Sequence, residues 1–118
     1  MGDYKYIDYH KVLESVGGDT SFVAELMDIY LIETPKELAK FSERIERKSW
    51  VEVAETAHKM KGQASIVGAI QVHEMFAFIE DAIKSGKDLT EYENQLSEVL
   101  DLVGESSSEC EIIKAKLS

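Results

Sequence analysis

The sequence is poor in cysteine, proline and basic charge, and each shortage excludes something. Cys110 is the only cysteine in 118 residues. It cannot close an internal disulfide, and alone it cannot build a cysteine-based structural zinc site. A chain of this length can still bury a working core as one domain, taken as residues 1–118. No run approaches the roughly 18–20 apolar residues of a membrane-spanning helix. Acidic residues precede any apolar run at the N-terminus, unlike a secretory signal peptide. A cytoplasmic location is the expectation.

Basic residues number 13 against 23 acidic ones, a formal net charge of −10. Such a surface repels phosphate backbones and anionic lipid, which argues against nucleic-acid and membrane partners. Catalytic templates are missing as well. The sequence holds no Gly-rich phosphate loop after a strand, no GxSxG, no HExxH and no calcium-loop pattern. Gly17-Gly-Asp19 reads as a helix stop and cap, not as a phosphate cradle. Neither a helical histidine pair nor paired Glu-x-x-His motifs occur, so no metal site is expected. Cys110 lies between Glu109 and Glu111, whose charges oppose a thiolate nucleophile.

What is present is helical periodicity. The spacing predicts a first helix over about 6–16, stopped by Gly17-Gly18. Asp19 or Thr20 then caps a long second helix carrying Phe22, Leu26, Ile29, Tyr30, Leu38, Phe41 and Ile45. Its apolar register crosses Pro35, which predicts one kinked helix in place of two. Ser49-Trp-Val-Glu52 forms a capping box for a third helix, 50–65, with Trp50, Val53, Ala54, Ala57, Met60 and Ala64 on its apolar stripe. Gly68 closes the turn to a fourth helix, 69–85, carrying Ile70, Val72, Met75, Phe76, Ile79 and Ile83. A fifth is expected from Asp88, with Glu91 as its box partner. Gly104 and the serines after it predict a break, leaving 105–118 as a frayed tail or short helix. Short connections between long amphipathic helices favour antiparallel neighbours. The expected fold is all-α: an up-down-up-down four-helix bundle with an added N-terminal helix.

Three histidines are the remaining candidates for chemistry. His10 and His73 read as surface or boundary residues. His58 has distinctive neighbours. Ala54, His58, Lys61 and Ser65 fall at helical spacing on one stripe beside the core stripe. That placement anchors the imidazole yet leaves it accessible. Gly62, one turn on, costs about 1 kcal/mol in a helix interior and leaves clearance for a bulky partner. Lys59 and Lys61 would offset the charge of an anionic group acquired by the ring. Accessible imidazole, local positive charge and a bare patch together describe a phosphoryl acceptor.

The run Ala57-His-Lys-Met-Lys-Gly-Gln-Ala-Ser-Ile-Val-Gly-Ala69 resembles the signature of histidine-containing phosphotransfer (HPt) domains. Gly17-Gly-Asp with Phe22 and Leu26 resembles the usual opening of their second helix. Trp50 and Ile79-Glu80 fit in order, so the likeness covers about residues 5–103. A serine is common after the Lys-Gly pair; Gln63 stands there instead. The resemblance implies that His58 accepts a phosphoryl group from one receiver-domain aspartate and passes it to another. It further implies that Lys61 stabilises the phosphoryl oxygens with help from Lys59, and that Gly62, Gln63, Ala54 and Ser65 form the docking surface. The implied partners are response-regulator receiver domains and a sensor or hybrid histidine kinase. The receiver would bring the Mg²⁺, so this chain, a monomer, needs no cofactor and has no kinase or phosphatase activity of its own. One rival is a helical adapter of the same fold that binds a partner without phosphate. Another is an enzyme using His58 as a general base, for which Glu55 is the only orienting carboxylate nearby in sequence.

Overall fold

A computed structural model describes residues 4–87 and 89–117. Its helices are α1 (Tyr9–Ser15), α2 (Thr20–Glu46), α3 (Trp50–Ile66), α4 (Ile70–Lys84) and α5 (Glu93–Leu117), with a 3₁₀ turn over Leu89–Tyr92 before α5. Among the described residues there is no strand, and no helix is long and apolar enough to cross a membrane. Helices α2 to α5 form the expected up-down-up-down bundle. α2 packs on α3 and α5, α4 packs on the same two, and α1 rests against α2. The molecule measures 42 × 21 × 20 Å, its long axis set by α2, since 27 helical residues span about 40 Å.

α2 is one helix, not two, and continues through Pro35. The proline cannot donate to the Leu31 carbonyl, but it sits on the exposed side, where solvent can serve that group. Inward, Val23, Met27, Tyr30 and Phe41 are buried, and Phe41 meets Phe76 of α4 edge to face at 5.3 Å. The apolar stripes are narrower than the sequence suggests: Phe22 and Ile29 of α2 and Ile70 of α4 are exposed.

Each helix from α1 to α4 ends in a Schellman cap. After α3, for instance, Ala69 N–H reaches the Ala64 carbonyl at 2.8 Å and Gly68 N–H reaches Ser65 at 3.1 Å. Gly68 has φ +72°, and a Cβ there would lie 2.8 Å from both the Asp8 carbonyl oxygen and Val12 Cγ2. The α3–α4 turn is therefore the seat of the N-terminal segment, which Asp8 N–H secures by bonding Gly68 O at 2.9 Å.

Three local expectations need correction. α1 starts at Tyr9, not near residue 6, because Glu109 captures the N–H groups of Lys5, Tyr6 and Ile7 at 2.9–3.0 Å. The Ser49–Glu52 box does not cap the backbone; Ser49 Oγ donates to Glu52 Oε2 at 2.6 Å, and Glu52 also pairs with Arg47. The expected cap at Asp88 lies outside the described residues. Finally, residues 105–117 are no frayed tail. α5 runs unbroken through Gly104 to Leu117, with Val103, Ser106, Cys110 and Ile113 buried along one face. Ser106 is accommodated because its hydroxyl donates to Val103 O at 3.0 Å and meets Tyr30 Oη at 2.9 Å.

Candidate functional site

His58 stands midway along α3, its backbone fixed by the buried neighbours Ala57 and Met60 and its side chain 68% exposed. The ring is anchored by one bond. Its Nδ1 lies 2.9 Å from Oε2 of Glu80 on α4. Glu80 is 3% exposed, and two lysines complete its surroundings: Lys61 Nζ at 2.7 Å from Oε1 and Lys84 Nζ at 2.9 Å from Oε2. Burial alone would push this carboxyl up, but the bonds from Lys61, Lys84 and His58 outweigh it and hold the group at about 2. A carboxylate can only accept, so Nδ1 carries a proton, and in the neutral imidazole Nε2 is then the nitrogen with the free lone pair.

A second buried carboxylate lies on the other side of α3. Glu37 of α2 takes Lys59 Nζ at 2.8 Å and Lys40 at 3.5 Å. The hydrogen bond from Lys59, acting against burial, lowers the Glu37 carboxyl below its ordinary range. The two lysines flanking His58 thus point opposite ways, Lys61 to α4 and Lys59 to α2. Between them Gly62 is exposed and helical, and a Cβ there would meet nothing within 4 Å. An open groove runs beside the ring over Val51, Ala54 and Ile83, with Glu55 on its edge. Val51 is 73% exposed, an apolar side chain offered to solvent next to an accessible imidazole. That shape suits a protein surface better than a small molecule.

The Hpt domain family model matches residues 25–109, a span that includes His58 and every group bonded around it. The chain belongs to the Hpt domain family. No curated protein and no solved structure matches it. Hpt domains are phosphocarrier modules, not enzymes; they transfer phosphoryl groups through a histidine in phosphorelays and interact with receiver domains and histidine kinases.

Within this Hpt domain, His58, Lys59, Lys61 and Gly62 all lie on α3, but only Lys61 shares Glu80 with the His58 ring, while Lys59 turns away to Glu37. Ser65 is exposed further along α3, whereas Ala54 is 9% exposed and contributes to the groove floor. Gln63 turns partly inward, with Oε1 buried and lacking a hydrogen-bond partner among the described residues. The carboxylate that orients His58 is Glu80, not Glu55. Glu80, Lys84 and Glu37 escape sequence reasoning because each is joined to α3 only through helix packing. One signal was available: Glu80 interrupts the apolar run of α4 beside Ile79, where a solvated acid is out of place.

The other candidates lie elsewhere. His10 is exposed on α1, and His73 donates Nδ1–H to the Lys61 carbonyl at 3.0 Å. Cys110 is fully buried against the core, and burial first, then Glu109 and Glu111, pushes its thiol up to about 12.

Proposed function

We propose that His58 is the phosphoacceptor of a phosphorelay, taking a phosphoryl group from a receiver-domain aspartate and delivering it to another receiver. The observation that supports this most directly is the bond from His58 Nδ1 to a buried, ionised Glu80, which presents Nε2 as the nucleophile. In the transfer, the Nε2 lone pair attacks phosphorus and the P–O bond to the aspartyl carboxylate breaks. The Nδ1 proton stays on the ring, which becomes cationic and is stabilised by Glu80. One unit of positive charge appears on the ring as the receiver carboxylate regains its negative charge, and the step runs backwards for delivery.

Positioning and charge neutralisation are the main requirements of phosphoryl transfer, and α3 offers both. Lys61, with Lys59 in support, supplies the positive charge. Gly62 and the groove over Ala54, continued by Ser65 and Gln63, form the docking surface. The Mg²⁺ belongs to the receiver. A sensor or hybrid histidine kinase stands upstream.

Mixing the chain with a phosphorylated receiver tests this. Acid-labile, base-stable phosphate should appear on the wild type and on His10→Gln and His73→Gln, and vanish in His58→Gln. His58→Gln should remain folded, within about 0.5 kcal/mol of wild type, as exposed positions do. No labelling of the wild type would favour the phosphate-independent adapter.

A further inference from the structure

Lys84 and His58 share one oxygen of Glu80. Lys84 Nζ and His58 Nδ1 both lie 2.9 Å from Oε2, while Lys61 Nζ takes Oε1 at 2.7 Å. An i,i+4 Glu–Lys pair on a helix surface is ordinarily a weak contact between two solvated groups. Here the acid is 3% exposed and the lysine 65%. The pair joins the solvent to the buried side of the histidine site.

If His58 carries the phosphoryl group, Lys61 must serve two anions in turn. Before transfer it is bonded to Glu80. Afterwards a group of charge near −2 sits on the imidazole one turn away and competes for the same ammonium. Turning Lys61 towards the phosphoryl group vacates Oε1. A buried carboxylate deprived of its cation is strongly destabilising, and the His58 N–H alone is a poor replacement. Lys84 removes that obstacle, because it stays on Oε2 and can follow Glu80 from the solvent side.

We propose that Lys84 is a positioning residue for phosphoryl transfer. It keeps Glu80 ionised and in place while Lys61 moves from Glu80 to the phosphoryl group, and it does not itself contact that group. This rests on the phosphoacceptor reading of His58.

The experiment is a double-mutant cycle on the equilibrium of phosphoryl exchange between the full chain and a phosphorylated receiver. Lys84→Met should lower the phosphorylated fraction of the chain, by about three- to tenfold in the exchange constant, as for a partly buried ion pair. Lys84→Arg should restore it to within about twofold. In a Glu80→Gln background the Lys84→Met change should shrink below about 1.5-fold, since the charge it compensates has gone. Thermal melts of each variant separate folding defects from changes in exchange.

An unaltered constant for Lys84→Met would overturn the proposal. So would an effect that persists undiminished beside Glu80→Gln, which would mean that Lys84 touches the phosphoryl group directly. A wild type that takes no phosphate defeats the His58 reading itself, an outcome distinct from either of these.

Discussion

His58 and Glu80 are 22 residues apart in sequence, yet their side chains meet at 2.9 Å across the α3–α4 interface. Because the carboxyl is held at about 2, the bond has one sense, ring N–H to carboxylate, throughout the neutral range. Glu80→Gln preserves an acceptor of the same shape and removes its charge. The ring would keep its orientation but lose the anion that stabilises its cationic form. Acceptance of phosphate from a receiver should slow roughly ten- to hundredfold, the equivalent of a hydrogen bond to a charged group. Rapid-quench measurement of the transfer rate checks this. An unchanged rate would show that the carboxylate does not act on the ring.

The same depression makes an acid-stability prediction. A carboxyl lowered by folding contributes stability that is fully present above its unfolded value, near 4.5, and lost as pH falls through about 2. Glu37, lowered chiefly by its hydrogen bond from Lys59, acts in the same sense. Denaturant unfolding of wild type and Glu80→Gln should therefore differ by a constant amount above about pH 5. The difference should shrink between pH 4.5 and 2. A gap that stays level to pH 2 would show that Glu80 titrates normally.

Periodicity made the helices legible wherever the apolar stripe was made of apolar residues. α2 was readable across Pro35 because Tyr30, Leu38 and Phe41 keep one register on both sides of it. α5 was misread beyond Gly104 because its inward face there passes through Ser106 and Cys110, residues that sequence reasoning assigns to breaks and tails. Only the packed bundle shows Tyr30 satisfying the Ser106 hydroxyl. The site divides the same way. His58, Lys59, Lys61 and Gly62 lie on one helix, so their geometry follows from 3.6-residue spacing. Glu80, Lys84 and Glu37 reach them from α2 and α4, and their arrival depends on the relative register of packed helices.

Gly62 separates docking clearance from helix termination. It lies inside α3 without a positive φ, and a Cβ would meet nothing within 4 Å. Gly62→Ala should therefore stabilise the fold by about 0.4–1 kcal/mol through reduced unfolded-state entropy. Gly62→Gln should stay folded and accept phosphate from a receiver much more slowly, while a small phosphodonor is affected less. Melts and transfer rates of both variants decide the point. A stable Gly62→Gln with wild-type transfer would remove Gly62 from the docking surface.

The last prediction compares two helix ends that share a backbone conformation but not a residue type. After α2 the left-handed position is held by Lys48, φ +54°, with Ser49 N–H on Arg44 O at 3.0 Å and Lys48 N–H on Ile45 O at 2.9 Å. A side chain in that region costs about 1–2 kcal/mol, partly offset by the extra unfolded-state freedom of glycine. Lys48 is exposed and lies outside the histidine site, so Lys48→Gly should raise stability by about 0.5–1 kcal/mol and leave phosphate acceptance alone. Gly68 occupies the matching position after α3, and there the reverse holds. Its φ is +72°, and a Cβ would press on the Asp8 carbonyl and Val12 at 2.8 Å. Gly68→Ala should destabilise the fold by about 2 kcal/mol or more, since backbone strain and overpacking act together. Urea unfolding of the two variants tests both signs. A destabilised Lys48→Gly would mean that the lysine side chain makes a contribution larger than its backbone strain, and a neutral Gly68→Ala would mean that α1 yields at the turn at little cost.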